Sequence, residues 1–151
     1  MSIRGQAFIA GVYEHPLREI PDRSSSQIQA EVAAGALADA GLTLADVDGY
    51  FTDSAHGFGG LSMADYLGLK LKHIDSTETG GSSYVVHVGH AAEAIAAGKC
   101  SVALITMAGR PRSTAMAMAS GGEPVPDAVF EGLWGMSGAV TGYALAATRH
   151  M

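Results

Sequence analysis

The sequence predicts an α/β domain built on a mostly parallel, mixed sheet flanked by helices. Three observations carry that prediction. Short apolar runs alternate along the chain with stretches of helical period. The breaks between them hold glycine or serine, the residues that stop or cap helices. The composition suits tightly layered strands and helices: 20 glycines in 151 residues, alanine as the commonest apolar residue, 48% apolar and only 16% charged. Strand–helix–strand repeated in this way implies right-handed crossovers. Functional sites in such sheets lie beyond the carboxyl ends of the strands.

The elements follow in order. Residues 6–13 (QAFIAGVY) form an apolar run with β-branched and aromatic members, read as a buried strand that ends before Pro16. Ser24 or Ser25 caps a helix over 27–40, apolar at Ile28, Val32, Ala36 and Ala40 and stopped by Gly41. Residues 47–52 (VDGYFT) read as a second strand, 53–60 (DSAHGFGG) as a glycine loop and 61–69 as a short helix. Lys72–Thr79 (KHIDSTET) is a third strand, polar enough for an edge or an interface. Gly80 and Gly81 turn sharply, and Ser82 and Ser83 cap a helix over 84–97 that closes at Gly98. Its small and apolar residues run nearly all round, which predicts burial on several sides. Residues 101–107 (SVALITM) are the cleanest buried strand. An irregular excursion with Pro111, Pro124 and Pro126 follows. A final helix over 137–151 is capped by Ser137 and turns Val140, Tyr143, Ala144 and Ala147 inward. The division is therefore a core over 1–109, then an excursion and terminal helix over 110–151.

Several function classes are excluded or disfavoured. A net charge of −6 without a Lys/Arg cluster argues against nucleic acid and polyanionic membrane surfaces. No run reaches the ~20 apolar residues of a membrane span. One cysteine makes no internal disulfide, and no Cys/His quartet is present for a structural zinc. No secretory signal is legible, so a reducing, cytoplasmic setting is expected.

The sharpest local feature is the turn Thr79-Gly80-Gly81-Ser82-Ser83. The N–H groups and positive dipole end of the helix that follows suit a thiolate, an oxyanion or a phosphate. A plain capped turn would use the same residues. Phosphate-loop and dinucleotide fingerprints are missing. His87 and His90 lie three apart on the buried helix and read as core histidines rather than ligands. His56 in the glycine loop is a candidate base. Cys100 reads as a packed thiol far from any helix N-terminus. Asp53 and Asp75 are too isolated to read as a carboxylate pair.

The string DSTETGGSSYVVHVGHAAEAIAAGKCSVALITMAGRPR resembles the central segment of the thiolase N-terminal domain. The opening AFIAGVYEH, the stretch ALADAGLTLADVDGYF and the closing WGMSGAVTGYALAATRHM are similar to it too. The likeness is greatest to bacterial sterol-carrier-protein type thiolases, a group of acetyl-CoA acetyltransferases and lipid-transfer proteins of lipid metabolism. It implies a thiolase-like N-terminal α/β domain whose C-terminal half, with its acid and base residues, is absent. It also implies an acyltransferase acting on a coenzyme A thioester, with no permanently bound cofactor, and a homodimer paired through Lys72–Thr79.

The family's nucleophilic cysteine falls at Gly81, flanked by Gly80, Ser82 and Ser83, so no catalytic residue is assigned. Cys100 lies at the far end of a helix about 24 Å long and cannot replace it. Such a fragment is expected to be inactive alone. Two alternatives follow from the missing thiol. One is a retro-aldolase subunit on β-hydroxyacyl-CoA, working with an OB-fold partner. The other is a non-catalytic lipid or acyl-CoA binding subunit.

Overall fold

The structure is a computed structural model that describes residues 2–53, 58–110, 112–113, 129–130, 132–135 and 138–151. The chain forms two units, Met1–Ser113 and Thr114–Met151. In the first, helix α1 (Ser25–Asp39) precedes strand β1 (Gly49–Phe51), helix α2 (Gly60–Tyr66), strand β2 (His73–Asp75), helix α3 (Ser83–Ala96) and strand β3 (Ala103–Ile105). Among the described residues the sheet is wholly parallel, in the order β2-β1-β3, with Gly49 opposite His73 and Ala103. The α/β class is as predicted, but the mixed sheet is corrected to a parallel one.

The central strand shows why GYF forms sheet. Tyr50 and Phe51 are both fully buried, and successive side chains of a strand point to opposite faces. Tyr50 packs with Ala33 and Leu37 of α1, Met63 and Ala64 of α2, and Leu104. Phe51 packs on the other face with Ala91 and Ala94 of α3 and with Cys100. Gly49 is glycine for a steric reason: a Cβ there would lie 2.7 Å from the Cys100 sulfur. Asp48 ties the strand starts together. Its Oδ1 accepts from the Ser101 and Val102 amides at 2.7 and 2.8 Å, and its Oδ2 accepts from Lys72 Nζ at 3.1 Å. Burial pushes the Asp48 carboxyl up, but these bonds outweigh it and hold it below the ordinary range.

Helix α1 begins in a capping box. Ser24 Oγ accepts from the Gln27 amide at 3.1 Å, and Gln27 Oε1 accepts from the Ser24 amide at 2.8 Å. Gly41 ends it with φ 69°, a conformation glycine adopts freely.

Four expectations are corrected. Residues 6–13 make no strand; Phe8, Ile9 and Val12 are exposed, and among the described residues no neighbour supplies a hydrogen-bonded ladder. The strand expected over Lys72–Thr79 is only His73–Asp75. It stops because Asp75 Oδ1 accepts from Thr77 N and Oγ1 at 2.8 and 2.6 Å, which bends the chain away. Helix α3 is buried along one stripe, Ser83, His87, Ala91 and Ala94, while Val85 is 77% exposed. Burial on several sides is therefore not found in this chain.

The fourth concerns the second unit. Its helix α4 (Gly138–His150) leaves Val140, Tyr143, Ala144 and Ala147 exposed rather than inward. Arg149 and His150 sit in its last turn, where the dipole favours positive charge. Ser137 lies outside the described residues. No described helix is long and apolar enough to cross a membrane.

Candidate functional site

Three chain segments leave the carboxyl ends of the parallel strands: Thr52–Asp53 after β1, residues 76–79 after β2, and Thr106 after β3. The glycine turn expected to hold the site lies among them. Gly80 takes φ 69°. Ser83 Oγ donates to the Gly80 carbonyl at 2.7 Å and accepts from the Thr79 amide at 2.8 Å. Ser82 Oγ donates to the Thr79 carbonyl at 3.0 Å. The two serines thus close the turn. Ser82 occupies the N-cap of α3 without a side-chain cap bond. Gly81 is exposed, and a Cβ added to it would meet nothing within 4 Å.

Beside this turn stand Tyr84, which sequence reasoning does not single out, and Asp53, which it reads only as an isolated carboxylate. Tyr84 Oη donates to Asp53 Oδ2 at 2.5 Å, joining the first turn of α3 to the end of β1. Burial pushes the Tyr84 hydroxyl well above the ordinary tyrosine range. The bond to Asp53 and the charges of Asp53 and Glu78 act in the same sense. Glu78 Oε1 accepts from the Gly80 amide at 2.8 Å, a carboxylate placed before the positive end of α3. Tyr84 was legible only as the residue after the serine cap, and Asp53 only as the residue after a buried strand.

Of the two helix histidines, only His87 is a core residue; His90 is partly exposed, not the core residue expected. His87 is fully buried; its Nε2 lies 2.9 Å from the Thr77 carbonyl, so that nitrogen carries the proton. Its Nδ1 has no partner among the described residues. The Tyr84 ring meets its imidazole edge-on at 5.7 Å. His90 Nδ1 lies 2.5 Å from Asp75 Oδ2. Asp53 and Asp75 therefore each have a separate partner and do not share one proton. His56 lies outside the described residues. Among those residues no cluster of His, Cys, Asp and Glu has a metal-holding arrangement.

Two tests arise from this geometry. Burial alone would push the Asp75 carboxyl up, but bonds from Thr77 and His90 outweigh it and hold it below the ordinary range. The stabilisation from a lowered carboxyl is present above about pH 4 and is lost as pH falls through the folded value. Asp75→Asn should therefore destabilise at pH 7 and far less near pH 3, read from urea midpoints. An equal difference at both pH values rejects this.

The second test concerns thiols. Cys100 is buried, and burial with the nearby Asp48 charge pushes its thiol up. It should alkylate slowly at neutral pH and form no acyl adduct with an acyl-CoA. Gly81→Cys places a thiol in open space at the N-terminus of α3, about 21 Å of helix away. That thiol should label faster than Cys100, as intact-mass kinetics would show; equal rates reject the placement.

A groove of 620 Å³ runs along β3, lined mostly by apolar side chains such as Phe8, Val12, Ala36, Val88 and Ile95, with Tyr84, Glu14 and Thr106 among its polar ones. The segment that makes no strand forms one wall of it.

No family model matches the chain. Comparison with individual proteins is more informative. The chain is 33% identical over 112 residues to the 17-hydroxy-3-oxo-4-pregnene-20-carboxyl-CoA lyase of Mycobacterium tuberculosis. It is 34% identical over 110 residues to the steroid side-chain-cleaving aldolase of Thermomonospora curvata. The chain is similar to side-chain-cleaving aldolases. A solved Ltp2-ChsH2(DUF35) aldolase superposes with a TM-score of 0.71 and 29% identity, over 86% of this chain and 34% of that one. The two alignments take in 74% and 72% of this chain but only 29% and 28% of the curated relatives.

These findings correct the thiolase reading. The matched proteins are carbon–carbon lyases, not thiolase acyltransferases or acetyl-CoA acetyltransferases. The site agrees in chemistry. In the thiolase pattern the acyl-accepting thiolate stands at the α3 N-terminus. The residue there is Gly81, and the chain's one thiol is buried behind β1.

Proposed function

We propose that this chain is a subunit of a lyase that cleaves a β-hydroxyacyl-CoA thioester by retro-aldol chemistry. The observation that carries the reading is the Tyr84–Asp53 pair at the carboxyl end of the sheet, in a chain whose relatives are aldolases. Retro-aldol cleavage needs one proton moved twice and no nucleophile. The β-hydroxyl proton passes to Tyr84 Oη as the Tyr84 proton passes to Asp53 Oδ2. The alkoxide electrons form a carbonyl, the Cα–Cβ bond breaks, and its pair moves into the thioester enolate. The relay then runs backward and returns the proton to Cα. No redox partner is required.

The coenzyme A thioester is a substrate here, not a resident cofactor. The apolar groove beside Tyr84 suits a bulky acyl group such as those named for the relatives. The exposed edge of β2, within Lys72–Thr79, is the surface we assign to pairing with a second copy. A small OB-fold subunit that holds the acyl-CoA completes the assembly.

The test is to incubate the chain, with and without such a partner, with a β-hydroxyacyl-CoA and separately with a β-ketoacyl-CoA plus free CoA. Release of a ketone and a shortened acyl-CoA from the first, only when the partner is present, is the expected result. Thiolysis of the second, or turnover of neither, overturns the reading.

A further inference from the structure

We infer that the groove beside β3 is an open strand position, filled in the assembled enzyme by an extended strand from the part of the enzyme that this chain does not span. The inference rests on the relationship to the aldolases, not on the chemistry proposed for Tyr84 and Asp53. The groove has the outline of a strand. Its two sides are chain segments, residues 7–14 and 101–107, and each lines it without a break. Its two faces are helices, with Val32 and Ala36 of α1 on one and Val88 and Ile95 of α3 on the other. Gln29, near the start of α1, bonds to Thr52 and Thr106 beyond the strand ends, so α1 runs opposite to the sheet. Gly11 packs on Ala36 and Ala40, and His15 bonds to Glu31. Residues 11–15 therefore run opposite to α1, in the direction of β3. The segment is fixed in that place. Neither Gly11 against the Ala36 carbonyl nor Gly35 under the Tyr13 ring has room for a Cβ, and the Val12 amide donates to Asp39 Oδ2 at 2.9 Å.

The edge of β3 carries the second part of the argument. The Val102 carbonyl accepts from the Gly49 amide, and the Thr106 amide donates to the Phe51 carbonyl. The even-numbered residues thus bond to β1, and the alternation of a parallel ladder turns the N–H and C=O of Ala103 and Ile105 toward the groove. Backbone groups bare in apolar surroundings cost free energy until they are paired. Residues 7–13 and 101–107 hold no charge and no proline, the devices that keep foreign strands off an edge. With helices over both faces, the occupant is a near-continuous apolar run. Among the described residues this chain has none to spare, because its extended apolar runs already form β1, β3 and the groove wall. A second copy is therefore not the source. The alignments take in only 29% and 28% of the two curated relatives, which leaves the larger part of each to furnish the strand. The acyl group keeps the end of the groove at Tyr84 and Met107, where the added strand becomes a wall.

The experiment titrates the full chain with overlapping synthetic peptides of about 12 residues, drawn from the part of the Mycobacterium tuberculosis lyase outside its alignment. Fluorescence anisotropy reads binding, and amide hydrogen exchange reads its place. One apolar, proline-free stretch should bind and slow exchange at Ala103 and Ile105 on the order of 10-fold, with Thr106 little changed. The same peptide N-methylated at alternate residues, in either register, keeps its side chains and loses main-chain donors. It should bind on the order of 10-fold more weakly. Phe8→Asp with Val12→Asp, both at exposed side chains, should weaken binding without unfolding the chain. Binding by no peptide, or equal binding of the N-methylated forms, overturns the strand position. Ala103 and Ile105 amides that gain protection with chain concentration alone give the slot to a second copy and overturn the assigned source. A β-hydroxyacyl-CoA that protects both amides and expels the peptide gives the whole groove to the acyl group; that result overturns the strand and leaves the lyase reading standing. Peptide binding with no lyase turnover in the assembled enzyme sustains the strand and removes the lyase reading.

Discussion

Gln29→Ala is expected to destabilise the first unit by about 3 kcal/mol, the largest single-residue loss short of deleting a core aromatic. Gln29 is 1% exposed and lies on the face of α1 that meets the sheet. Its Nε2 lies 2.7 Å from Thr106 Oγ1, 2.9 Å from Thr52 Oγ1 and 3.2 Å from Tyr50 Oη. Tyr50 Oη and Thr106 Oγ1 are 2.7 Å apart, and Thr52 Oγ1 donates to the Thr106 carbonyl at 3.1 Å. Three buried hydroxyls from β1 and the end of β3 thus converge on one amide. Removing the amide leaves them short of partners and opens a void, and each contributes to the loss. Gln29→Leu refills the volume but not the bonds, so it should recover only part of the stability. Tyr50→Phe should cost about 1–2 kcal/mol. Urea midpoints at constant slope measure these losses. A Gln29→Ala loss under about 0.5 kcal/mol would show that the amide does not organise this network.

Gln29 also shows where sequence reading stops. The periodicity puts Ile28, Val32, Ala36 and Ala40 on the apolar stripe, with Gln29 elsewhere. The structure buries Ile28, Gln29, Ala33 and Leu37, and turns Val32 and Ala36 toward the groove. A glutamine counts as polar in any pattern, and only the three hydroxyls opposite make its burial favourable. β2 is legible as the polar stretch between a short helix and the glycine turn, and β1 and β3 as short apolar runs between turn residues. Residues 6–13 have the same composition and still make no strand. Strand formation needs a ladder partner, and composition does not carry that information.

The site was half legible for a related reason. The glycine turn could be placed from Gly80 and Gly81 together with the strand-to-helix order. The Tyr84–Asp53 hydrogen bond is invisible in the sequence, because the two residues are 31 positions apart and meet only when β1 and α3 are stacked. The small-residue helix suggested burial all round, but the 77% exposure of Val85 shows that small residues permit close packing without enforcing it.

Tyr84→Phe is expected to lower kcat of the partner-assembled enzyme by about 10²–10³-fold while leaving the fold intact, since it removes one half-buried hydroxyl and keeps the ring against His87. The effect should fall on kcat more than on KM, because the hydroxyl acts when the proton moves and the groove walls that seat the acyl group are unchanged. Asp53→Asn should cause a loss of similar size by removing the proton acceptor. The double variant should be scarcely worse than either single one, because the two groups act as one relay. The pH profile supplies an independent readout. The Tyr84 hydroxyl is raised above the ordinary tyrosine value of about 10, so it stays protonated through the neutral and mildly alkaline range. The wild-type rate should therefore show no alkaline fall near pH 10 attributable to loss of this proton. A Tyr84→Phe enzyme within threefold of the wild-type kcat, or single-variant losses that multiply in the double variant, would remove the relay from the mechanism and leave the proton to another group.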